Sequence, residues 1–335
     1  MKEIGSEFWS VPICEHNSYV FHKNVQWYAS GRSALQAIIK DLQWAKTVAM
    51  PAYCCDSMIK PFIDAGISVQ FYSICFEDNL RQKVKCDCDV LFVMDYFGYS
   101  NDKIAVNHPC IIRDTTHSLF SKDHTDADYY FGSLRKWCGF WTGGYAWSKD
   151  GRRLLEGDLD NEYILLRRKA MLEKECYINS SDENICYKEK NYLQIFAEAE
   201  KRLNYIGIAG ASERDIELAR KLDVDFIRKQ RRRNAKILMD NFPEYLMFSE
   251  LKESDCPLFV PILLDKQKRD LLRSYLISKN IYCPIHWPVS RFHRLKEKDR
   301  MLYENELSLI CDQRYTEEDM INMVNLIKNF LKEND

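Results

Sequence analysis

An aspartate and an imidazole close the run Ile111-Ile112-Arg113-Asp114-Thr115-Thr116-His117. Twenty-two residues after Asp114 stands Lys136, within Phe131-Gly132-Ser133-Leu134-Arg135-Lys136-Trp137. A carboxylate facing a protonated pyridine nitrogen lets such a ring act as an electron sink. A lysine between apolar and aromatic neighbours, beside Arg135, is expected to be partly desolvated, which lowers an amine's pKa toward that of a nucleophile. Upstream, Ser30-Gly31-Arg32-Ser33-Ala34-Leu35 opens a helix with small residues that leave backbone N–H groups accessible, an arrangement that suits an anion. Downstream, Gly143-Gly144 permits close backbone approach to a ligand or a neighbouring subunit. Each feature has a plainer alternative: Asp114 as a helix cap, His117 as a core histidine, Ser30 as an ordinary N-cap. The ordered set of anion site, aspartate, lysine and glycine pair is more specific than any member.

These residues need a scaffold, and the hydrophobic pattern supplies one. Short apolar runs alternate with amphipathic stretches through the first half, the pattern of a sheet with helical crossovers. A helix is expected over 33–42, strands over 47–50, 67–74 and 90–94, and a short helix over 58–65. Val90-Leu91-Phe92-Val93-Met94 reads as a strand buried on both faces. Further strands fall at 110–112, 129–131 and 145–147, so the candidate residues sit just past strand ends, where open α/β sheets bind ligands. From 152 to 240 the chain turns helical and charged, with long helices expected over 187–203 and 212–242. Beyond Pro243, strands over 258–264, 281–285 and 307–311 and helices over 268–280 and 317–332 suggest a small α+β domain. The expected division is a large domain over 1–240 and a small one over 241–335.

The 335 residues carry a formal net charge of -2, which gives no global reason for a nucleic-acid or anionic-membrane partner. The triplet Arg231-Arg232-Arg233 is read as a solvated face or a set of ion-pair partners. No apolar run reaches the roughly 20 residues of a membrane span. Met1–Glu7 shows no apolar signal core, and the thirteen cysteines are scattered and odd in number, so reduced thiols in a cytoplasmic protein are expected. Neither Cys54-Cys55 nor Cys86-Asp87-Cys88 has metal-site spacing, and no metal is expected.

Taken together, Gly31-Arg32-Ser33-Ala34-Leu35, Pro51-Ala52-Tyr53-Cys54-Cys55, Tyr96-Phe97-Gly98, Asp114 to His117, Ser133 to Lys136, Gly143-Gly144 and Pro284-Ile285-His286-Trp287-Pro288 resemble the DegT-type sugar aminotransferases, a branch of the fold-type-I PLP enzymes. The resemblance implies an α/β fold with a mainly parallel sheet of the seven-stranded PLP-binding type, and pyridoxal 5'-phosphate as cofactor. It implies that Gly31, Arg32, Ser33 and Ser133 bind the phosphate, that Asp114 pairs with the ring nitrogen, that His117 lies near the ring, and that Lys136 carries the cofactor. Relatives place an aromatic residue over the ring; here the matching place holds Cys55, with Tyr53 two residues earlier. The implied reaction moves an amino group from an amino acid such as glutamate to a keto-sugar, nucleotide-linked, for polysaccharide or glycoconjugate synthesis. Arg135, His286 and Trp287 are the candidate substrate contacts, and a homodimer with shared active sites is implied. Phe140, Trp141, Tyr145 and Trp147 are expected to form an apolar patch at that interface. The rival readings are another PLP-dependent enzyme acting on a small amino or keto substrate, or a non-catalytic regulatory protein of the same fold.

Overall fold

The run Val90–Met94 forms a strand with all five residues buried, because apolar side chains on both faces require cover on both faces. In the computed structural model, which describes residues 3–15, 21–77, 79–82, 84, 87–100, 108, 110–121, 126–179 and 190–334, it is central to a parallel set. The chain divides into two compact units, one comprising 1–6, 44–128 and 225–335, the other 7–43 and 129–224.

In the first unit the strands run side by side in the order Ile111–Asp114, Val90–Met94, Thr47–Pro51, Ser68–Tyr72, every pair parallel. Met94 pairs with Asp114, so the two strands end level. Pro51 is the last residue of its strand, one beyond the expected end, and the helix Asp56–Asp64 follows with Cys55 at its N-cap. The C-terminal part of this unit pairs Val260–Leu263 antiparallel with Glu306–Leu309. Helices Lys266–Ser278 and Glu297–Asn305 lie between those strands in sequence, and Glu317–Glu333 follows them behind a reciprocal cap between Thr316 and Asp319.

In the second unit the strands Gln26–Tyr28, Gly144–Ser148 and Tyr129–Ser133 are antiparallel in that order. The helix Gly31–Asp41 follows the first of them and buries Ala34, Leu35, Ala37, Ile38 and Ile39, the face expected from their spacing. Helices Asn161–Asn179 and Asn191–Arg202 pack against each other. The fold class is therefore the expected one, an α/β chain whose sheet strands, seven over the two units, are mostly parallel and flanked by helices.

The single long helix expected over 212–242 is two, Glu213–Arg220 and Val224–Asn241. Its ladder is interrupted because the intervening backbone bonds elsewhere: Lys221 O accepts from Cys14 N–H at 2.9 Å, and Asp223 N–H donates to Pro12 O at 3.0 Å. Of the arginine triplet only Arg233 is exposed. Arg231 is fully buried and donates to Gln313 Oε1 at 2.7 Å and Leu258 O at 2.9 Å, and Arg232 donates to Asp255 O at 2.8 Å. These side chains clamp the 252–258 segment through its carbonyls. Among the described residues no helix is long and apolar enough to cross a membrane.

Candidate active site

The ends of the parallel strands in the first unit bring Tyr53, Asp114, His117, His286 and Trp287 into one cluster. Asp114 ends its strand with its side chain buried, and its Oδ1 accepts from Thr116 N–H at 2.8 Å. That bond folds the chain into the turn that carries His117, which is itself buried. The His117 ring stacks on Trp287 at 5.7 Å between centroids and 29° between planes, and Trp287 lies 5.1 Å from the ring of Tyr53. Tyr53 also stacks on Tyr96 at 5.7 Å. The sequence placed His286 and Trp287 some 170 residues beyond His117, and the structure joins them.

Tyr53 is the most constrained member. Its ring is buried, and its hydroxyl has no hydrogen-bond partner among the described residues. Burial, then the negative charge of Glu306 and the neighbouring Tyr303, push its pKa well above that of a free phenol, against a smaller opposing effect of Arg269. The group is therefore a neutral donor. Cys55, the other candidate at this place, faces helix 56–64 with its Sγ 2.8 Å from Ser57 Oγ.

Residues to which the sequence assigned no role hold this cluster in shape. Arg113 donates to both carboxylate oxygens of Asp95, and Ser118 Oγ donates to the same carboxylate. Asp95 N–H donates to the carbonyl of Asp114 at 3.1 Å. Just beyond, Phe97 and Gly98 take positive φ angles of 55° and 86°. A side chain on Gly98 would meet Cys256 O at 1.9 Å, so this approach admits only glycine. Tyr303 Oη donates to Ala52 O at 2.7 Å and accepts from Cys54 N–H at 3.0 Å, which fixes the turn carrying Tyr53. The Asp95–Arg113 pair leaves a trace in the sequence, since each charge sits at the exit of an apolar strand, while Tyr303 leaves none.

The second unit holds the remaining candidates. Ser30 Oγ caps the helix by accepting from Ser33 N–H at 3.1 Å, and Ser33 Oγ donates to Gly207 O at 2.9 Å. The Arg32 guanidinium turns away to Asn204 Oδ1 at 2.6 Å, so only its backbone N–H belongs to the helix start. Gly31 faces Ser133, whose Cβ would lie 3.4 Å from a side chain placed there, and a Cβ on Gly144 would meet Ser30 O at 2.1 Å. The glycines thus let three segments converge on one helix N-terminus, with Ser133 beside it.

Lys136 departs from expectation: it is exposed, although Leu134 and Trp137 are fully buried. Residues 134–136 form a 3₁₀ turn. With three residues per turn, Leu134 and Trp137 share a side and Lys136 points elsewhere. Arg135 is committed within the unit, donating to Tyr163 Oη at 2.8 Å and ion-paired with Glu200. Of the expected aromatic patch, Phe140 and Tyr145 are fully buried within the chain, and only Trp141 and Trp147 are half-buried.

No family model matches the sequence, and no curated protein matches it. Solved structures do match. A DegT DnrJ EryC1 StrS aminotransferase from Brucella abortus superposes with a TM-score of 0.62 at 15% identity, over 91% of this chain and 85% of that one. The chain has the DegT-type aminotransferase fold. Helicobacter pylori PseC, an aminotransferase involved in the biosynthesis of pseudoaminic acid, gives a TM-score of 0.62 at 13% identity, over 98% of this chain and all (100%) of that one. NtdA from Bacillus subtilis, with bound cofactor PMP, gives 0.61 at 13%, over 92% and 73%. At these identities the likeness is one of fold.

Proposed function

We propose that the chain is a PLP-dependent aminotransferase that passes an amino group from an amino acid, glutamate by preference, to a keto-sugar. The observation that carries this reading is the cluster at the strand ends: a buried carboxylate, Asp114, on the same turn as His117, beneath a wall of rings that includes Tyr53 and Trp287. The shared fold supports it, since solved structures of this fold include sugar aminotransferases in PLP and PMP forms.

The residues present fit the cofactor. Tyr53 offers a buried hydroxyl without a partner among the described residues, and the glycines at 31 and 144 keep the helix N-terminus open to an anion. When bound, PLP would supply an electron sink for a carbanion at the carbon that bears nitrogen. On the resemblance, the N–H groups of Gly31 and Arg32, with the hydroxyl of Ser133, would hold the phosphate. Asp114 would keep a proton on the pyridine nitrogen, and His117 would orient the ring. Lys136 Nζ would anchor the cofactor and, as base and then as acid, would move the proton at the substrate carbon that bears nitrogen. Tyr53 and Trp287 offer flat apolar faces to ring and sugar. A nucleotide-linked sugar, a cytoplasmic location and a homodimer complete the reading on the strength of the resemblance.

The deciding experiment is borohydride reduction of purified protein reconstituted with PLP, followed by peptide mass mapping. A reduced cofactor on Lys136 is expected. Its attachment to another lysine, or no attachment, would overturn the reading.

A further inference from the structure

Glu306, Ser308 and His286 form a hydrogen-bonded chain inside the first unit. Glu306 and Ser308 are fully buried and His286 nearly so. The backbone N–H of His286 donates to Glu306 Oε2 at 2.7 Å, and Ser308 Oγ donates to Glu306 Oε1 at 2.5 Å. His286 Nδ1 lies 3.0 Å from the same Ser308 Oγ. The strand Glu306–Leu309 sets this spacing, because residues two apart project to one face of a strand.

The proton positions follow from the donor inventory. A serine hydroxyl has one proton, and an ionised carboxylate only accepts. The proton of Ser308 is therefore spent on Glu306, and Ser308 Oγ meets the imidazole as an acceptor. Nδ1 of His286 must carry a proton. In the neutral ring Nε2 is then a bare acceptor, and it has no partner among the described residues. The ring packs edge-on against Trp287 at 5.2 Å, His117 at 5.7 Å and Phe97 at 5.3 Å, within the cluster that holds the buried donor hydroxyl of Tyr53.

We propose that Glu306 and Ser308 lock His286 in its Nδ1–H tautomer, making it a specificity-determining residue whose Nε2 accepts a hydrogen bond from a sugar hydroxyl. A phosphate oxygen, itself an acceptor, finds no donor at that nitrogen in the neutral ring. His286 therefore reads the carbohydrate part of the substrate rather than its phosphates, and Glu306 and Ser308 are positioning residues. The choice of a carbohydrate ligand rests on the keto-sugar reading, whereas the tautomer rests on the hydrogen bonds alone.

The test is long-range proton–nitrogen correlation NMR of the full chain labelled with nitrogen-15, at a pH where the ring is neutral. The expected result is a protonated Nδ1 and an unprotonated Nε2 at His286, with a mixture of tautomers in Ser308→Ala. An Nε2–H ring in the native protein would overturn the lock. UDP-glucose, used as a probe, is expected to shift the His286 Nε2 resonance, and UDP alone to leave it in place. Its affinity should fall about three- to tenfold in Ser308→Ala, the worth of one neutral hydrogen bond. Equal shifts with UDP alone, or no shift with either, would remove the hydroxyl assignment. Neither measurement depends on turnover or on bound PLP, so failure of the aminotransferase reading would show separately, as an absence of cofactor on Lys136.

Discussion

Arg113 grips Asp95 through two parallel hydrogen bonds, Nε to Oδ2 at 3.0 Å and Nη2 to Oδ1 at 2.5 Å, with both side chains buried. The pair sits at the exits of adjacent parallel strands, and the Asp95 backbone bonds to that of Asp114. Removing one partner of a buried pair leaves the other charge uncompensated, at a cost of about 3–5 kcal/mol. Asp95→Ala should therefore lower unfolding stability by that amount in urea titration. A loss below about 1 kcal/mol would show that water reaches Arg113 and that the pair does not brace the turn.

The carboxyl of Asp312 gives the fold an acid-sensitive point. Burial, the largest single effect, raises its pKa, but Arg314, donating to both oxygens at 2.9 and 2.8 Å, and Arg231 together hold it below the usual carboxylate value. The unfolded chain binds the proton more readily, so this contribution is fully present above about pH 4 and is lost as pH falls through the folded value. The fall in urea midpoint between about pH 6 and about pH 3 should be larger in the native protein than in Asp312→Asn. Identical losses in the two proteins would contradict the assignment.

Thiol reactivity should divide by burial. Burial pushes Cys256 up to about 11 and Cys283 and Cys311 up to about 12, and it also removes them from solvent, whereas Cys176 is exposed on the helix Asn161–Asn179. Thiolate is the reactive form. Maleimide at neutral pH followed by peptide mapping should modify Cys176 in the native protein and reach the other three only after denaturation. Early modification of Cys283 would mean that the segment leading to His286 opens.

Much of this architecture is written in short-range pattern. The strand Val90–Met94 falls where its apolar run predicts, and helix Gly31–Asp41 buries the face its spacing marks. Asp114 and His117 were legible because the chemistry lies within four residues at a strand end. What pattern does not carry is the partner of a polar residue distant in sequence. Glu306 and Ser308 occupy a strand with the burial of a core element, and nothing nearby says that their oxygens serve His286. Lys136 misled for a local reason: apolar flanks suggest burial of what they enclose, yet a 3₁₀ turn separates one residue from its flanks.

Trp287 is where the substrate assignment can be broken. Its ring is half-buried, within 5.1 Å of Tyr53 and 5.7 Å of His117, so it has one side in the cluster and one side accessible. If the accessible side receives a sugar ring, Trp287→Ala removes apolar area that the amino-acid donor never touches. The half-reaction with a nucleotide keto-sugar should then slow by roughly tenfold or more, the scale of one lost aromatic contact, while the glutamate half-reaction stays within about twofold. Both halves can be followed in single turnovers by the absorbance of the cofactor. Since the ring also packs on Tyr53, the variant should be compared with Trp287→Phe, which keeps a smaller aromatic face and should recover most of the sugar half-reaction. Equal losses in both halves for Trp287→Ala, with no recovery in Trp287→Phe, would assign Trp287 to support of the Tyr53 turn and leave the sugar to be bound elsewhere.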